Sequence, residues 1–327
     1  MAQDELVRIK APIREEMKHF ESHFRDSMKT SVPLLNVVLN HVIRRKGKQM
    51  RPMFVFLTAR MLGQINSSTY TAASLVELLH NATLIHDDVV DKSYRRRGYF
   101  SIHALWKSKI SVLVGDFLLS RGLLLSVRNK EYDLLEIVSH AVEQMSEGEL
   151  LQVRNSRKLY ISEEAYFDVV RKKTASLIAS CTACGARSVG RDESVIETLR
   201  AFGEKVGIAF QIKDDLLDYE RSGVIGKPAG NDIKEKKVTL PLIYALNQAG
   251  EKDRKAIKRL FGRSRKNGRQ VNEIIDFVRR HNGLELARDK MKQVKDEALR
   301  MLAPYSNDNP GYNSMVDLVE YTINRTQ

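Results

Sequence analysis

Asp87-Asp88-Val89-Val90-Asp91 places three carboxylates within five residues. On a helix Asp87 and Asp91, four apart, project from one face. Like charges at that spacing destabilise a bare helix by roughly 0.2–0.5 kcal/mol, and the approach through Leu84-Ile85 is apolar rather than solvated. A divalent cation relieves both costs. Magnesium in particular accepts one or two carboxylates and completes its shell with water and phosphate. The pattern recurs at Asp214-Asp215-Leu216-Leu217-Asp218, after Ile208-Ala209-Phe210-Gln211-Ile212. A single acidic pentad is compatible with a surface accident, whereas two of one form, each ending an apolar run, point to a site. They lie too far apart for a local calcium loop, and neither has the glycine and twelve-residue spacing of an EF-hand. Two carboxylate clusters bridged by magnesium describe a clamp for a departing diphosphate.

A diphosphate also needs cations that are not metals. The chain has three short clusters: Gly47-Lys48-Gln49-Met50-Arg51-Pro52, Arg95-Arg96-Arg97-Gly98 and Lys172-Lys173-Thr174. Singly, each is more often a solvated surface run. Beside two acidic pentads they read as phosphate ligands, arginine for planar multidentate contact and lysine as a point charge. His80 falls two turns before Asp87 on the same helical face; a lone histidine in an apolar helix is ordinarily a core residue, so its role rests on its company.

These residues must be carried by helices. Apolar periodicity is helical from end to end. Pro33 opens a segment that Gly47 closes, and Pro52 opens another running to about Leu62, both with proline-first punctuation. Ser67-Ser68-Thr69 precedes a long segment through Val90. Further helices are expected at about Ile110 to Val127, Leu134 to Val153, Ser162 to Lys172, Ser176 to Val189 and Ser194 to Asp218, with more near Leu240, Ile257, Ile274, Leu284 and Met315. No alternating strand, fixed-period repeat or low-complexity linker is evident. Glu220 to Lys237, with Gly223, Gly226, Pro228 and Gly230, reads as a mobile loop next to the second pentad.

Composition narrows the function classes. At 327 residues, 43% hydrophobic and 29% charged, the chain reads as one soluble all-helical domain over 1–327. No stretch approaches the roughly 20 uninterrupted apolar residues of a membrane span. The start, Met1-Ala2-Gln3-Asp4, lacks a secretory layout, so a cytoplasmic location is expected. The net charge of +13 invites a nucleic-acid reading, but much of it sits between Lys252 and Arg269, where nine Lys or Arg meet only Asp253. That run holds Phe261 alone and so no stacking series. It reads as a solvated basic face, with a peripheral contact with an anionic membrane as the alternative, and no nucleic-acid partner is expected. Cys181-Thr182-Ala183-Cys184 lacks the second pair a zinc site needs and reads as small residues packed in a helix.

At these motifs the chain resembles the trans-polyprenyl diphosphate synthase family, its long-chain, octaprenyl-type members in particular. The match runs from Gly47 to Pro241 through Glu77-Leu78-Leu79-His80 to Asp91, Arg96-Arg97-Gly98, Gly115-Asp116, Lys173-Thr174, Phe210 to Asp218 and Gly226-Lys227. The resemblance implies an all-α fold, a single orthogonal helical bundle around a deep central cavity, assembled as a homodimer. It implies two or three Mg2+ ions held by Asp87, Asp91 and Asp214, with Asp88, Asp215 and Asp218 as supporting ligands or groups behind them. Lys48, Arg51, His80 and Arg97 would hold isopentenyl diphosphate. Arg96, Lys173, Lys227 and Lys237 would grip the allylic diphosphate, with Thr174 and Gln211 near the developing cation. One departure stands out: members commonly carry glycine where this chain has Lys236, in Glu235-Lys236-Lys237. If that position requires a positive φ, Lys236 is strained.

The resemblance also bears on product length. Short-chain members floor the cavity with aromatics just before the first pentad, where this chain has Ala82 and Thr83, with Leu78 and Leu79 a turn below. An open floor implies a product of roughly C35–C50, unless Leu119, Leu123 or Leu124 supplies another wall. A geranylgeranyl diphosphate synthase is the nearest alternative. A non-catalytic subunit of a heteromeric synthase is an alternative of another class, though such a subunit should have lost carboxylates that this chain retains.

Overall fold

The computed structural model describes residues 2–44, 47–96, 99–156, 161–220, 230–263, 265–306 and 308–324. Among them the fold is helical, as the periodicity predicts, apart from a two-residue antiparallel ladder pairing Arg95 with Phe100 and Arg96 with Tyr99. The elements cluster into two compact units. One comprises Met1–Val142, Ser180–Arg200 and Pro304–Asp317; the other comprises Glu143–Ala179, Ala201–Ala303 and Leu318–Gln327.

In the first unit the Ser67–Val90 helix packs along the Ile102–Arg128 helix and against Met50–Leu62. Ser67–Val90 starts where its sequence says it should. The Asn66 side chain accepts from the backbone N–H groups of Ser68 and Thr69, and the Thr69 hydroxyl reaches back to the Asn66 N–H, a reciprocal cap that satisfies otherwise orphaned donors. Met50–Leu62 is buried from Pro52 to Leu62 except at Arg60, which is how a helix apolar on all sides behaves. It begins two residues before the proline expected to open it, with Gln49 in the left-handed region at φ +55. A proline in the first turn removes no helical hydrogen bond.

The Ile102–Arg128 helix starts earlier than the expected Ile110. Ser101 caps it by accepting from the Ala104 N–H at 3.1 Å, and a break at Lys107, φ +64, interrupts the apolar register that the sequence shows. By length and composition this helix is apolar enough to cross a membrane. Leu123 and Leu124, two of the three residues considered as an inner wall, are 47% and 42% exposed on it, so they line no interior. The helices Ala2–Ile9 and Arg14–Ser27 precede the first segment read from the sequence.

In the second unit the Leu240–Gln248 helix packs against Gly283–Leu302 and Gly268–Arg280. The helix expected over Ser162 to Lys172 runs from Glu163 to Val170 and then widens into a π turn, Arg171–Ala175. Residues 221–229 of the expected loop lie outside the described residues. Its described end is more ordered than expected, forming the short helix Asn231–Lys234.

Candidate active site

In the first unit one helix carries both His80 and the first pentad. Arg51, Glu77, His80 and Asn81 line a small cavity of about 60 Å³. Arg51 Nη1 lies 3.7 Å from Glu77 Oε2, and His80 is 6% exposed. The predicted cations are thus brought together in part: Arg51 and His80 share the cavity, whereas Lys48 is exposed outside it. Arg97 and Lys227 lie outside the described residues, and Arg96 is described by its backbone alone.

The first pentad ends the Ser67–Val90 helix. Asp87 is half-buried, Asp88 buried and Asp91 exposed, so helical rotation gives adjacent carboxylates different solvents. Asp91 donates its N–H to the Asp87 carbonyl at 2.8 Å, and Ser93 donates to the Asp88 carbonyl at 2.9 Å. Ser101 Oγ in turn donates to the Ser93 carbonyl at 2.5 Å, tying the arginine-bearing ladder to the end of the pentad. His86 Nε2 lies 3.4 Å from Asp116 Oδ1 and 3.3 Å from the Val112 carbonyl. Gly115 makes room for that ring, since a β-carbon there would sit 2.1 Å from His86 Nε2.

In the second unit a cavity of about 240 Å³ is lined by, among others, Tyr166, Lys173, Thr174, Gln211, Asp215 and Lys237. The π turn presents Lys173 and Thr174. Lys173 Nζ pairs with Glu149 and donates to Gln152 Oε1 at 3.2 Å. Thr174 Oγ1 donates to Gln211 Oε1 at 2.9 Å, and Gln211 Nε2 donates to Asp215 Oδ1 at 3.0 Å. The other Asp215 oxygen accepts from Tyr166 at 2.7 Å and from the Leu240 N–H at 3.3 Å. Burial pushes the Asp215 carboxyl up to about 7 despite these donors. Burial, then the Asp215 charge, holds the Tyr166 phenol well above its usual range.

Asp214 is half-buried and Asp218 buried. Asp218 spends both oxygens on the backbone, accepting from Asn231 at 3.0 Å and Asp232 at 3.1 Å. It therefore anchors the segment that carries Lys237. Gly230 closes the same corner at φ +77, where a β-carbon would meet Val271 at 2.3 Å. Lys236 is at φ +60, the left-handed backbone that favours glycine, and the lysine bears that strain.

The sequence reading missed Asp232, Tyr166 and Glu149. Asp232 lines the cavity, and burial followed by the Asp218 charge lifts its carboxyl to about 6. No spacing rule marks these three, because Tyr166 and Asp232 reach the cavity from different elements and Glu149 acts through its pairing with Lys173.

The polyprenyl synthetase family model matches residues 32–278. Octaprenyl diphosphate synthase of Escherichia coli K12 is 32% identical, over 98% of this chain and 99% of its own. The chain belongs to the polyprenyl synthetase family. It is therefore a prenyltransferase, with prenyl diphosphates as its substrate class and divalent metal as its cofactor class. Among solved polyprenyl synthetases, decaprenyl diphosphate synthase from Rhodobacter capsulatus superposes with a TM-score of 0.91 at 34% identity, covering 98% of this chain and 99% of that one. A polyprenyl synthase from Caulobacter crescentus CB15, complexed with calcium and isoprenyl diphosphate, gives 0.90 at 33% identity over 98% of each chain. The all-helical fold is that of these synthases.

Among the described residues of this synthetase, no three His, Cys, Asp or Glu side chains converge to hold a cation unaided. The donors fit a hard cation nonetheless. Each pentad offers a half-buried oxygen donor at its first position, Asp87 and Asp214, and magnesium needs only one or two carboxylates when water and diphosphate fill its other positions.

Proposed function

We propose that this polyprenyl synthetase condenses isopentenyl diphosphate with an allylic diphosphate, farnesyl or geranylgeranyl, to give an all-trans polyprenyl diphosphate of roughly C35–C50. The observation that carries the reading is the lysine-lined cavity at the second pentad, where Thr174, Gln211 and Asp215 form one hydrogen-bonded chain. Names of similar synthases that make octaprenyl and decaprenyl products support the long-chain assignment.

In this reading Asp87, Asp91 and Asp214 hold two or three magnesium ions, with Asp88, Asp215 and Asp218 behind them. Magnesium, when bound, neutralises the charge that develops on the departing pyrophosphate. Lys173 and Lys237, with Arg96 and Lys227, grip the allylic diphosphate. Thr174 and Gln211 turn oriented dipoles toward the carbon that becomes cationic, at no reorganisation cost during the reaction. Lys48, Arg51, His80 and Arg97 hold isopentenyl diphosphate, whose double bond attacks that carbon. The proton then lost passes to pyrophosphate.

A geranylgeranyl-length product is the second reading, and one observation favours it. Leu75 and Leu79 close on Gly122, where a β-carbon would lie 3.3 Å from each side chain, a candidate floor below Ala82. We further assign residues 1–327 to one synthase domain working in the cytoplasm as a homodimer. Leu105, Val112, Leu113, Leu123, Leu124 and Val127 are exposed along the Ile102–Arg128 helix, an apolar face of the kind a second copy buries. A peripheral membrane contact is the competing occupant. Sedimentation without detergent distinguishes them, since a dimer supports the assembly and a monomer removes it.

The test of function is incubation with magnesium, labelled isopentenyl diphosphate and farnesyl diphosphate, with products resolved by length. A ladder ending well beyond four units is expected. A stop at four selects the second reading, and no incorporation with any allylic primer makes the chain a non-catalytic subunit.

A further inference from the structure

Three lysines line the second unit's cavity: Lys173, Lys236 and Lys237. Two are tied to carboxylates, Lys173 to Glu149 and Lys237 to Glu235 at 2.6 Å and Asp232 at 4.0 Å. Among the described residues Lys236 makes no ion pair. Its electrostatic neighbour is another cation, Lys266, whose ammonium is held below its usual range by burial and then by the Lys236 charge. The backbone at Lys236 is meanwhile held at φ +60 by the Lys236 N–H bonded to the Ile233 carbonyl at 3.3 Å and the Lys237 N–H bonded to the Asp232 carbonyl at 2.8 Å. Any side chain there is conformationally disfavoured against glycine, and a strained residue with an uncompensated charge at a cavity is the signature of a functional constraint.

We propose that Lys236 is an additional ligand for the diphosphate of the allylic substrate. The inference rests on the functional reading above, which makes this cavity the allylic diphosphate site. The multiply charged anion supplies the counter-charge that Lys236 lacks, and lysine suits the task as a point charge on a flexible stem. It tightens substrate binding and does not enter the bond-making step.

The experiment is calorimetric titration of the full chain with inorganic pyrophosphate, magnesium present throughout, alongside steady-state kinetics. Lys236→Gln should weaken pyrophosphate binding roughly five- to tenfold, and Lys236→Arg should stay within twofold of the parent. Lys236→Gly should weaken binding as much as Lys236→Gln while raising Tm, because it relieves the backbone. In turnover, KM for the allylic diphosphate should rise with KM for isopentenyl diphosphate unchanged. Unchanged pyrophosphate affinity in Lys236→Gln overturns the proposal, as does an equal rise in both KM values. Failure of the parent chain to incorporate isopentenyl units would sink the functional reading alone, because pyrophosphate affinity is read without turnover.

Discussion

Neighbouring carboxylates of the second pentad live in different solvents. Asp214 is half-buried, whereas Asp215 is 3% exposed. Three donors favour the ionised form of Asp215, yet burial outweighs them and its proton is held up to about 7. Between the ordinary value of 3.8 and about 7 the folded chain keeps a proton that the unfolded chain has released, so stability falls as pH rises through that window. Thermal denaturation in chelator should show Tm declining from about pH 5 to about pH 7, and Asp215→Asn should flatten the slope. An equally steep slope in that variant would assign the effect to Asp232, whose carboxyl is raised to about 6. Asp87→Ala and Asp214→Ala address turnover instead. Each should lower kcat by roughly 10²–10³-fold with the far-ultraviolet circular dichroism unchanged. Full activity in both would remove the pentads from the mechanism.

The functional groups are set by how their elements end and touch. The Ser67–Val90 helix carries His80 two turns from Asp87, and its C-terminal end is fastened through Ser93 and Ser101 to the next helix. His86, one residue before the pentad, is seated over Gly115 beside Asp116. Gly115→Ala would drive a β-carbon into that imidazole, so it should destabilise the chain by roughly 1–3 kcal/mol and depress kcat. Adding His86→Ala removes the clash, and the double variant should recover most of the lost stability. If it does not, the strain lies in the packing of the two helices rather than in the histidine. The π turn at Arg171–Ala175 sets the direction of Lys173 and Thr174 in the same way, and such widened turns concentrate at functional sites.

For the whole molecule the decisive quantity is how far a growing hydrocarbon tail can run before it meets a wall. Ala82 is fully buried, and Leu79 is 4% exposed. Ala82→Phe should therefore shorten the longest product, measured by chromatography of the extracted lipids. An unchanged product distribution would move the limiting wall away from this helix.

The sequence by itself determined the helical class, most helix positions, the two carboxylate pentads and the main cation clusters. Those signals are local: a face buried along one helix writes a period near four residues, and a motif four residues apart shares that face. It also marked Lys236 as out of place, without showing why. Tertiary structure alone decided that Lys236 adopts a positive φ, that Asp218 anchors a backbone segment, and that Tyr166 and Asp232 attend the second pentad. It likewise turned Leu123 and Leu124 outward. Each of these depends on which residues distant in the chain come within hydrogen-bonding or packing distance, and no short-range period records that.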